Sequence, residues 1–569
     1  MKILGINHDM YITSAALIID GKIIAACPEE RLTRSKMTRA FPINAVNFCL
    51  KQANIKLDQI DYIANSYNPA VHMKKFHPIF SEHRRFRGDY YYSVPDFLLN
   101  IDRKINEDSD YSSQKIRLGK KELNIYYINH HLCHAANAFN ISPFKKSSIL
   151  TADGAGEDDT ANFLIGDKNK IKLLKKIKIP HSLGSFYSTF TEYLGYKPEH
   201  DEWKVMALSS FGSKNNRYYK IIKNMVDLKS DGSFELNQNY FKQVNQTLPN
   251  MFSENFVSLL GKPKKKNDKI NKKDYEIAAA MQQVFEDTGS HMLKHLYKKT
   301  NNKNLVLSGG SFMNSVFNGK IKKLSPFSKV WLSSCPDDSG LSIGAALYLY
   351  NNILGNKKRY ELKHNFFGPS YKADKIKEDL KKYKVNFAYK KNITDVVSQE
   401  IAEGKLIGWF QGKMEFGQRA LGNRSILADP RKISSKVRVN QAVKYRENFR
   451  PFAPAVLDTF AHEFFDLEKN EKIPFMEKVV LTKKNKRHII PSVVHKDFTA
   501  RVQTVDKKTN GLFYDLIKKF YEKTGVPVLL NTSFNINGEP IVCNPTDAIR
   551  TFYSCGLDIL VIGNYIIYK

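Results

Sequence analysis

Two histidines four residues apart and two aspartates at glycine-bearing turns form a first candidate site. His130 and His134 belong to the sequence HHLCH at residues 130–134, and residues four apart share one face of a helix. Asp153 follows an apolar segment, and Asp338 lies in the sequence PDDSG. Two imidazoles and two carboxylates with open positions suit Fe(II), Zn(II) or Mn(II). The pattern indicates a metal site, and the alternative is a pair of helix histidines that pack locally.

A group of cations in the last third of the chain forms a second candidate site. The cations are Arg419, Lys444, Arg446, Arg450 and Arg501. Planar guanidinium groups suit bidentate binding of phosphate or carboxylate oxygens, and grouped cations stabilise negative charge in phosphoryl or acyl transfer. The arginines stand among glycines, prolines and aromatic residues, which favours an anion site over a solvated basic face. Asn531 and Ser533 follow an apolar strand and are predicted to line the same site.

A glycine pair after an apolar segment is a weaker signal. Ser308, Gly309 and Gly310 end the sequence NLVLSGG, and such a turn lets backbone amides approach a nucleotide's phosphates. The motif is common and carries little weight alone. The sequence contains no GxSxG, GxxxxGK[ST] or GxGxxG signature, so no familiar hydrolase or nucleotide-loop motif assigns the chemistry.

Several elements are needed to position these residues. An Asp-Gly turn at residues 20–21 predicts an N-terminal hairpin, and apolar strands are expected at residues 148–152 and 304–308. A long helical pattern covers residues 275–299. A mixed segment that contains Gly-Pro places the main boundary near residues 355–370. The pattern predicts two α/β domains, at residues 1–360 and 361–569, and shows no internal sequence repeat.

Composition narrows the class of protein. Of the 569 residues, 42% are hydrophobic and 26% are charged, so the chain can bury a large core. No segment approaches the ~20 apolar residues of a membrane span, and the N-terminus lacks signal-peptide character, so a cytoplasmic protein is expected. The six cysteines form no CxxC pair. The net charge of +32 would suit a nucleic-acid binder, but the lysines occur in short dispersed runs, which favours a scattered basic surface.

Ordered motifs extend along the whole chain. They are CPEERLTR at residues 27–34, NHHLCHA at 129–135, SGG at 308–310, DSG at 338–340, EFGQRALGNRS at 415–425, FRPFAP at 449–454 and NTSFN at 531–535. Together they resemble the family of nodulation protein U and the antibiotic O-carbamoyltransferases, and they are more specific than any single motif above. The resemblance implies an α/β protein with an N-terminal domain of the actin-like ATPase (ASKHA) fold and a YrdC-like C-terminal domain.

The same resemblance implies an O-carbamoyltransferase that uses carbamoyl phosphate and ATP with Mg²⁺. The YrdC-like domain would convert carbamoyl phosphate to carbamate and join it to ATP as carbamoyl-adenylate. The first domain, with Fe(II) or another divalent metal, would transfer the carbamoyl group to a hydroxyl of a small-molecule acceptor, such as a natural product or a sugar. Neither nucleic acid nor a membrane is an expected partner, and a homodimer is one expected assembly.

The resemblance also implies a role for each group of candidate residues. The residues for carbamoyl phosphate and ATP are Arg419, Lys444, Arg450, Arg501, Asn531 and Ser533. The metal ligands are His130, His134, Asp153 and Asp338, with iron in the family's best case. The residues near the adenosine of the adenylate are Ser308, Gly309 and Gly310.

The N-terminal turn departs from the family pattern. The family usually has His-Asp directly before the Ser-Ala of the first hairpin, and that histidine is a candidate base for the acceptor hydroxyl. Here His8 lies earlier, and Tyr11 begins the three residues that precede Ser14. Either His8 reaches the site through a reshaped turn, or Tyr11 fills the position and the base lies elsewhere. Lys36 is a second catalytic candidate.

Two other functions stay open at this point. Both expected domains resemble tRNA-modifying threonylcarbamoyl machinery, and the charge of +32 would suit RNA. A non-catalytic, ATP-binding regulator with an actin-like fold is the other alternative, and the cation-rich second domain argues against it. The identity of the acceptor cannot be read from the sequence.

Overall fold

The computed structural model describes residues 1–8, 12–72, 110–119, 121–242, 251–447 and 449–569. Contacts divide these residues into two compact units. The first unit is Met1–Ala26 with Arg39–Leu362, and the second is Cys27–Thr38 with Lys363–Lys569. The predicted division at residue 360 places residues 27–38 in the first domain, whereas their contacts lie within the second unit.

Two buried arginines explain where residues 27–38 belong. The Nη2 of Arg31 donates to the Gly417 carbonyl at 2.7 Å, and its Nε pairs with Glu30 at 3.1 Å. Arg34 donates to the carbonyls of Pro540 and Ile541 at 2.7 and 2.6 Å. A guanidinium group removed from water needs such partners, so these bonds hold the segment to the second unit.

The strands up to Leu362 have three to nine residues. They are β1 (Lys2–Asn7), β2 (Ser14–Ile19), β3 (Lys22–Pro28), β4 (Tyr62–Asn65), β5 (Tyr111–Leu118), β6 (Lys121–Ile128), β7 (Lys146–Ala152), β8 (Asp159–Asp167), β9 (Lys170–Lys178), β10 (Val226–Leu228), β11 (Phe234–Leu236), β12 (Asn304–Ser308) and β13 (Lys329–Leu332). The predicted hairpin is confirmed, because β2 and β3 flank Asp20 and Gly21 and are neighbours in one sheet. Strand β1 pairs antiparallel with β2, with Lys2 opposite Ile19.

Two sheets of the first unit share the same order over five strands, and β5 is an additional edge strand of the first sheet. One sheet has the order β3-β2-β1-β4-β6-β5, and the other has β13-β12-β7-β8-β9. In each, a meander of three strands is followed by two strands parallel to the first strand of the meander, namely β4 and β6 beside β1, and β12 and β13 beside β7. This duplicated arrangement is that of the actin-like ATPase fold, as predicted.

The helices up to Leu362 connect and cover these sheets. They are α1 (Glu29–Thr33), which belongs to the second unit, and α2 (Ile43–Gln52), α3 (His130–Phe139), α4 (Leu183–Tyr193), α5 (Glu202–Leu208), α6 (Arg217–Lys223), α7 (Glu254–Leu260), α8 (Lys272–Thr300), α9 (Ser315–Leu324) and α10 (Leu341–Tyr348). The long helix α8 matches the helical pattern predicted at residues 275–299. It begins at Asn271, which forms a capping box with Asp274.

Helix α10 packs very closely against α3 and β1. A Cβ at Gly344 would lie 2.0 Å from the Cys133 carbonyl oxygen, and a Cβ at Gly5 would lie 1.8 Å from the Ser342 carbonyl oxygen. Only glycine permits these approaches, because the neighbouring atoms belong to the backbone and cannot move aside. The contacts bring the start of α3, the end of β1 and the loop before α10 close together.

The second unit is built on a mixed eight-stranded sheet. Its strands are β14 (Ala388–Tyr389), β15 (Ile407–Phe410), β16 (Arg424–Ala428), β17 (Ala453–Leu457), β18 (Val479–Leu481), β19 (Thr499–Arg501), β20 (Gln503–Val505), β21 (Val528–Ser533), β22 (Ile559–Ile562) and β23 (Tyr565–Tyr568). The sheet order is β14-β23-β22-β15-β16-β21-β17-β20, and β18 pairs separately with β19.

Helices of the second unit pack on this sheet around one apolar core. They are α11 (Ala373–Lys382), α12 (Ile393–Ala402), α13 (Ile433–Arg438), α14 (Ala461–Phe464), α15 (Gly511–Thr524) and α16 (Pro545–Tyr553). The core includes the fully buried Trp409, Phe513 and Leu560. Both units are therefore α/β, as predicted, while the YrdC-like character of the second unit stays a prediction. None of the described helices is both long enough and apolar enough to cross a membrane.

Candidate active sites

Four predicted metal ligands meet in the first unit. His130 and His134 lie one turn apart in α3, Asp153 directly follows β7, and Asp338 lies in the short turn before α10. One ligand atom from each residue lies within 4.8 Å of all the others. The geometry brings together residues 208 positions apart in the chain.

The distances in this cluster suit one shared ion. The Nε2 atoms of His130 and His134 are 3.0 Å apart. The Oδ2 of Asp153 lies 2.8 Å from Nε2 of His134 and 3.8 Å from Nε2 of His130. The Oδ1 of Asp338 lies 3.6 and 3.7 Å from the same two nitrogens. Two nitrogen and two carboxylate donors fit a divalent first-row metal, and both histidines are fully buried.

Electrostatics within the cluster are those of a cation site. Burial opposes a charge on His134, but hydrogen bonds to Asp153 and Asp338 raise its pKa to about 9. Burial also opposes ionisation of Asp153, yet hydrogen bonds from the two histidines hold its pKa well below the usual range. Burial and the charge of Asp153 raise the pKa of Asp338. A proton on His134 therefore occupies the place that a metal would take.

Metal affinity is consequently expected to rise with pH. The metal displaces the His134 proton, so binding well below the pKa of about 9 releases about one proton, and the apparent association constant increases about tenfold per pH unit between about pH 6 and pH 8. Competition between the protein and a chromophoric chelator for Zn(II), corrected for the chelator's own protonation, measures the slope. A pH-independent constant would contradict the arrangement.

The Ser308 turn adjoins this cluster. The Ser308 hydroxyl lies 3.4 Å from Nδ1 of His134, and the Gly310 amide donates to Oδ2 of Asp153 at 3.0 Å. Gly309 has a φ of +104°, and a Cβ there would lie 2.1 Å from the Ala152 carbonyl oxygen. The turn thus holds the Asp153 carboxylate in place. The glycine pair in the sequence did not by itself indicate this contact.

Substituting Gly310 by alanine is expected to weaken metal binding by about tenfold or more. The added Cβ would lie 2.8 Å from Oδ1 of Asp153, so the carboxylate must turn away from the histidines. Gly154→Ala is the matched control, because Gly154 adjoins the same aspartate and a Cβ there meets nothing within 4 Å. Zn(II) titration of both variants gives the comparison, and equal affinities would contradict the role assigned to Gly310.

Sequence reasoning missed one acidic residue behind the cluster. The buried Glu157 accepts hydrogen bonds from the backbone amides of His130 and Asn68, at 3.0 and 2.8 Å. Its carboxylate therefore caps the first turn of α3 and fixes the helix that carries both histidine ligands. Burial raises the pKa of Glu157 to about 7. Its position after the glycine turn at residues 154–156 was the only signal available.

His131 is structural rather than a ligand. Its Nδ1 lies 2.9 Å from the Thr151 hydroxyl and its Nε2 lies 3.0 Å from the Asp159 carbonyl, so both ring nitrogens are occupied. Burial, and then the neighbouring histidines, lower its pKa well below the usual range. The HHLCH sequence therefore divides into two ligand candidates and one packing histidine.

The two catalytic candidates fall in different units. His8 follows β1 in the first unit, where its buried ring bonds to Asn65 at 2.8 Å. The preceding Asn7 donates to the Asp338 carbonyl at 2.9 Å, which places the end of β1 beside the metal cluster. Lys36 lies in the second unit, and its charge contributes to the lowered pKa of Lys444. Tyr11 lies outside the described residues.

The predicted cation group gathers in the second unit. Lys444 is buried, and its ammonium donates to Oδ1 and the carbonyl of Asn535 at 2.7 and 2.8 Å, and to the Ser533 hydroxyl at 3.2 Å. Burial, and then Arg446 and Arg450, lower its pKa well below the usual range. The Lys444 ammonium therefore bonds to the neutral acceptors of Ser533 and Asn535, while the charges that lower its pKa are those of other cations.

The arginines of this group repel one another. Burial lowers the pKa of Arg501 well below the usual range, and the charges of Arg419, Arg446 and Arg450 lower it further. Burial and Arg450 lower the pKa of Arg446 to about 8. Glu447 lies 3.5 Å from Arg450 and places a negative charge beside it. An arrangement of this kind is stabilised when an anion binds.

Asn531 and Ser533 act differently within this site. Ser533 contacts the Lys444 ammonium directly. The Nδ2 of Asn531 donates to the Ala420 carbonyl at 3.1 Å and to Gln503 at 2.9 Å, so it supports the loop that carries Arg419.

Two neighbours of the cation group are structural. Glu415, which the sequence did not single out for chemistry, organises the Arg419 loop by accepting the amides of Leu421 and Asn423 at 2.7 and 2.8 Å. The buried Arg424 stacks on Phe410 with 3.6 Å between the guanidinium carbon and the ring centre, and it donates to backbone carbonyls. Both of its Nη atoms donate to backbone carbonyls of the fold, so we assign it a structural role.

Comparison with known proteins agrees with the motif pattern. The family model described as carbamoyltransferase N-terminus matches residues 2–347, and the model described as carbamoyltransferase C-terminus matches residues 398–569. The chain therefore belongs to the carbamoyltransferase family.

Its relatives include nodulation and antibiotic proteins. The nodulation protein NolNO of Sinorhizobium fredii is 34% identical, over 99% of this chain and 80% of that protein. The 3'-hydroxymethylcephem-O-carbamoyltransferase of Amycolatopsis lactamdurans is 26% identical, over 78% of this chain and 81% of that enzyme. One similar solved structure is the activator of the 2-hydroxyisocaproyl-CoA dehydratase from Clostridium difficile with bound ADPNP. It is 14% identical, and the match covers 62% of this chain and 95% of that chain with a TM-score of 0.31.

Proposed function

We propose that the protein is an ATP-dependent O-carbamoyltransferase that takes its carbamoyl group from carbamoyl phosphate. The observation that carries the proposal is a group of mutually repelling, partly buried cations in a member of the carbamoyltransferase family, namely Arg419, Lys444, Arg446, Arg450 and Arg501. A neutral or cationic substrate would leave these charges unbalanced, whereas carbamoyl phosphate and the phosphates of ATP would neutralise them.

The first half-reaction belongs to the second unit. Water cleaves carbamoyl phosphate to carbamate and inorganic phosphate, and a carbamate oxygen then attacks the α-phosphorus of ATP, which releases pyrophosphate and leaves carbamoyl-adenylate. The arginines hold the phosphate oxygens and stabilise the charge that builds on them, and the Lys444 ammonium is positioned by Ser533 and Asn535. Lys36 adds a further cation to this site.

The second half-reaction belongs to the first unit. The acceptor hydroxyl attacks the carbamoyl carbon of the adenylate, AMP leaves, and the hydroxyl proton passes to a base. His8 is the candidate base, since it lies beside Asn7, whose amide contacts the Asp338 backbone. Ser308, Gly309 and Gly310 are the candidate contacts for the adenosine.

His130, His134, Asp153 and Asp338 would hold a divalent metal in the first unit, and their donor set fits Fe(II), Zn(II) or Mn(II). When bound, such an ion supplies positive charge that holds the phosphate of the adenylate and favours the departure of AMP. Two contacts of the chain hold these ligand atoms close together. Glu157 accepts from the His130 amide at the start of α3, and the Gly310 amide donates to the Asp153 carboxylate.

Family membership favours this function over the tRNA-modifying and regulatory alternatives. The experiment that tests it offers the protein carbon-labelled carbamoyl phosphate, ATP and a set of hydroxyl acceptors that includes sugars and a hydroxymethylcephem. Label transferred to an acceptor only when ATP is present supports the proposal. Label incorporated into tRNA from carbon-labelled bicarbonate and threonine, without transfer from carbamoyl phosphate to any acceptor, would overturn it.

A further inference from the structure

A histidine near the cation group has a buried ring nitrogen to which the proposed reaction assigns no role. His495 lies in the turn between β18 and β19, and its buried Nε2 has no hydrogen-bond partner among the described residues. Its backbone amide donates to the Thr499 carbonyl at 2.7 Å, which closes the turn onto the start of β19. A buried, unsatisfied ring nitrogen is costly unless a ligand completes it.

The turn directs this ring toward the cations. Side chains alternate along a strand, so Thr499 and Arg501 lie on the same face of β19. The Nδ1 of His495 lies 3.1 Å from the Thr499 hydroxyl, which puts the ring on that face beside Arg501. The charge of Lys436, in α13, lowers the pKa of His495. The charge of Arg446 in turn lowers the pKa of Lys436, which relates His495 to the cation group.

Hydrogen bonding fixes the tautomer of the ring. The Thr499 hydroxyl donates its proton to Asp497 at 2.7 Å, so its oxygen is left to accept a proton from Nδ1 of His495. In the neutral ring the Nε2 atom then carries a lone pair and no proton. Burial lowers the pKa of His495 to about 4; the charge of Asp497 opposes this shift, and the charges of Arg501 and Lys436 add to it. The ring is therefore a neutral hydrogen-bond acceptor at physiological pH.

The cations of the group cannot accept a hydrogen bond from the substrate. Arginine and lysine side chains only donate hydrogen bonds, which suits the phosphate half of carbamoyl phosphate but not its amide group. That group carries two N–H donors, and acetyl phosphate has a methyl group in the same place. We propose that the Nε2 of His495 accepts a hydrogen bond from the carbamoyl nitrogen and so selects carbamoyl phosphate over other acyl phosphates. This inference rests on the proposed function of the cation group.

The test compares ligands by titration calorimetry on the full chain without ATP. The wild-type protein is expected to bind carbamoyl phosphate roughly tenfold or more tightly than acetyl phosphate, because a site built for an N–H donor disfavours an analogue that lacks it. His495→Phe, which keeps a ring but has no acceptor, is expected to remove this preference. It should leave the affinities for acetyl phosphate and inorganic phosphate within about twofold, since those ligands do not use the acceptor.

Two further variants separate recognition from folding. His495→Gln retains an acceptor oxygen and is expected to restore most of the preference, and Thr499→Val, which frees the ring tautomer, is expected to reduce it partly. Equal weakening of all three ligands by His495→Phe, or a wild-type protein that binds acetyl phosphate as tightly as carbamoyl phosphate, would overturn the inference. A preserved preference without any carbamoyl-phosphate-dependent release of pyrophosphate would instead contradict the proposed function and leave the role of His495 intact.

Discussion

Arg450→Ala is expected to reduce carbamoyl-phosphate-dependent release of pyrophosphate from ATP by roughly 100-fold or more. The expected loss of rate is this large because Arg450 would supply a preorganised positive charge to the phosphates as negative charge builds on them. Removal of one such group typically lowers the rate by about 10²–10³. Arg450 is partly buried beside Arg446, Arg501 and Lys444, and its charge lowers the pKa of each of them. A continuous assay for pyrophosphate measures the rate.

The ligand-free stability of this variant distinguishes a functional role from a structural one. Because Arg450 repels the neighbouring cations, its removal is expected to leave the melting temperature unchanged or slightly higher. Arg438→Ala is the control: Arg438 is an exposed arginine of the same unit, paired with Asp558 at 2.9 Å, and its loss should change neither rate nor stability appreciably. An Arg450→Ala protein that makes carbamoyl-adenylate at the normal rate would contradict the assignment of the anion site.

His130→Ala is expected to abolish metal binding and to reduce carbamoyl transfer by roughly 100-fold or more, while pyrophosphate release without acceptor changes less than about threefold. The cluster loses one of two nitrogen donors, and the remaining residues leave a carboxylate-rich set that holds the ion less well. The cation group lies in the other unit, so adenylate formation does not depend on this side chain.

The readouts for this variant are the metal content of the purified protein and the two half-reactions assayed separately. His291→Gln is the control, since His291 lies in α8 of the same unit and bonds the Lys229 carbonyl at 2.9 Å, away from the cluster. Normal metal content together with lost adenylation would contradict the division of labour between the two units.

Part of the metal cluster could be predicted from the sequence, and part of it could not. The spacing of His130 and His134 and the position of Asp153 after an apolar strand were enough to suggest a site, because helix periodicity and strand ends follow from local sequence. The place of Asp338 depends on α10 reaching α3, and that contact rests on Gly344 and Gly5, which local pattern does not mark. Glu157 went unnoticed because its partners are backbone amides, which have no sequence signature.

The fold contains two features that local reasoning could not supply. The two sheets of the first unit repeat one strand order without a sequence repeat, because strand order is set by the path of the backbone and tolerates different side chains. Residues 27–38 belong to the second unit through the bonds of Arg31 and Arg34 to carbonyls nearly 400 to more than 500 positions away. Contacts of that separation are invisible to periodicity and composition.

The most direct test of the proposed reaction is the release of pyrophosphate from ATP, with and without carbamoyl phosphate, in the absence of any acceptor. We expect release that depends on carbamoyl phosphate, is lost in Arg450→Ala and persists in His130→Ala. Release that is independent of carbamoyl phosphate, or no release at all from the wild-type protein, would contradict the claim that the cation group of the second unit forms a carbamoyl-adenylate.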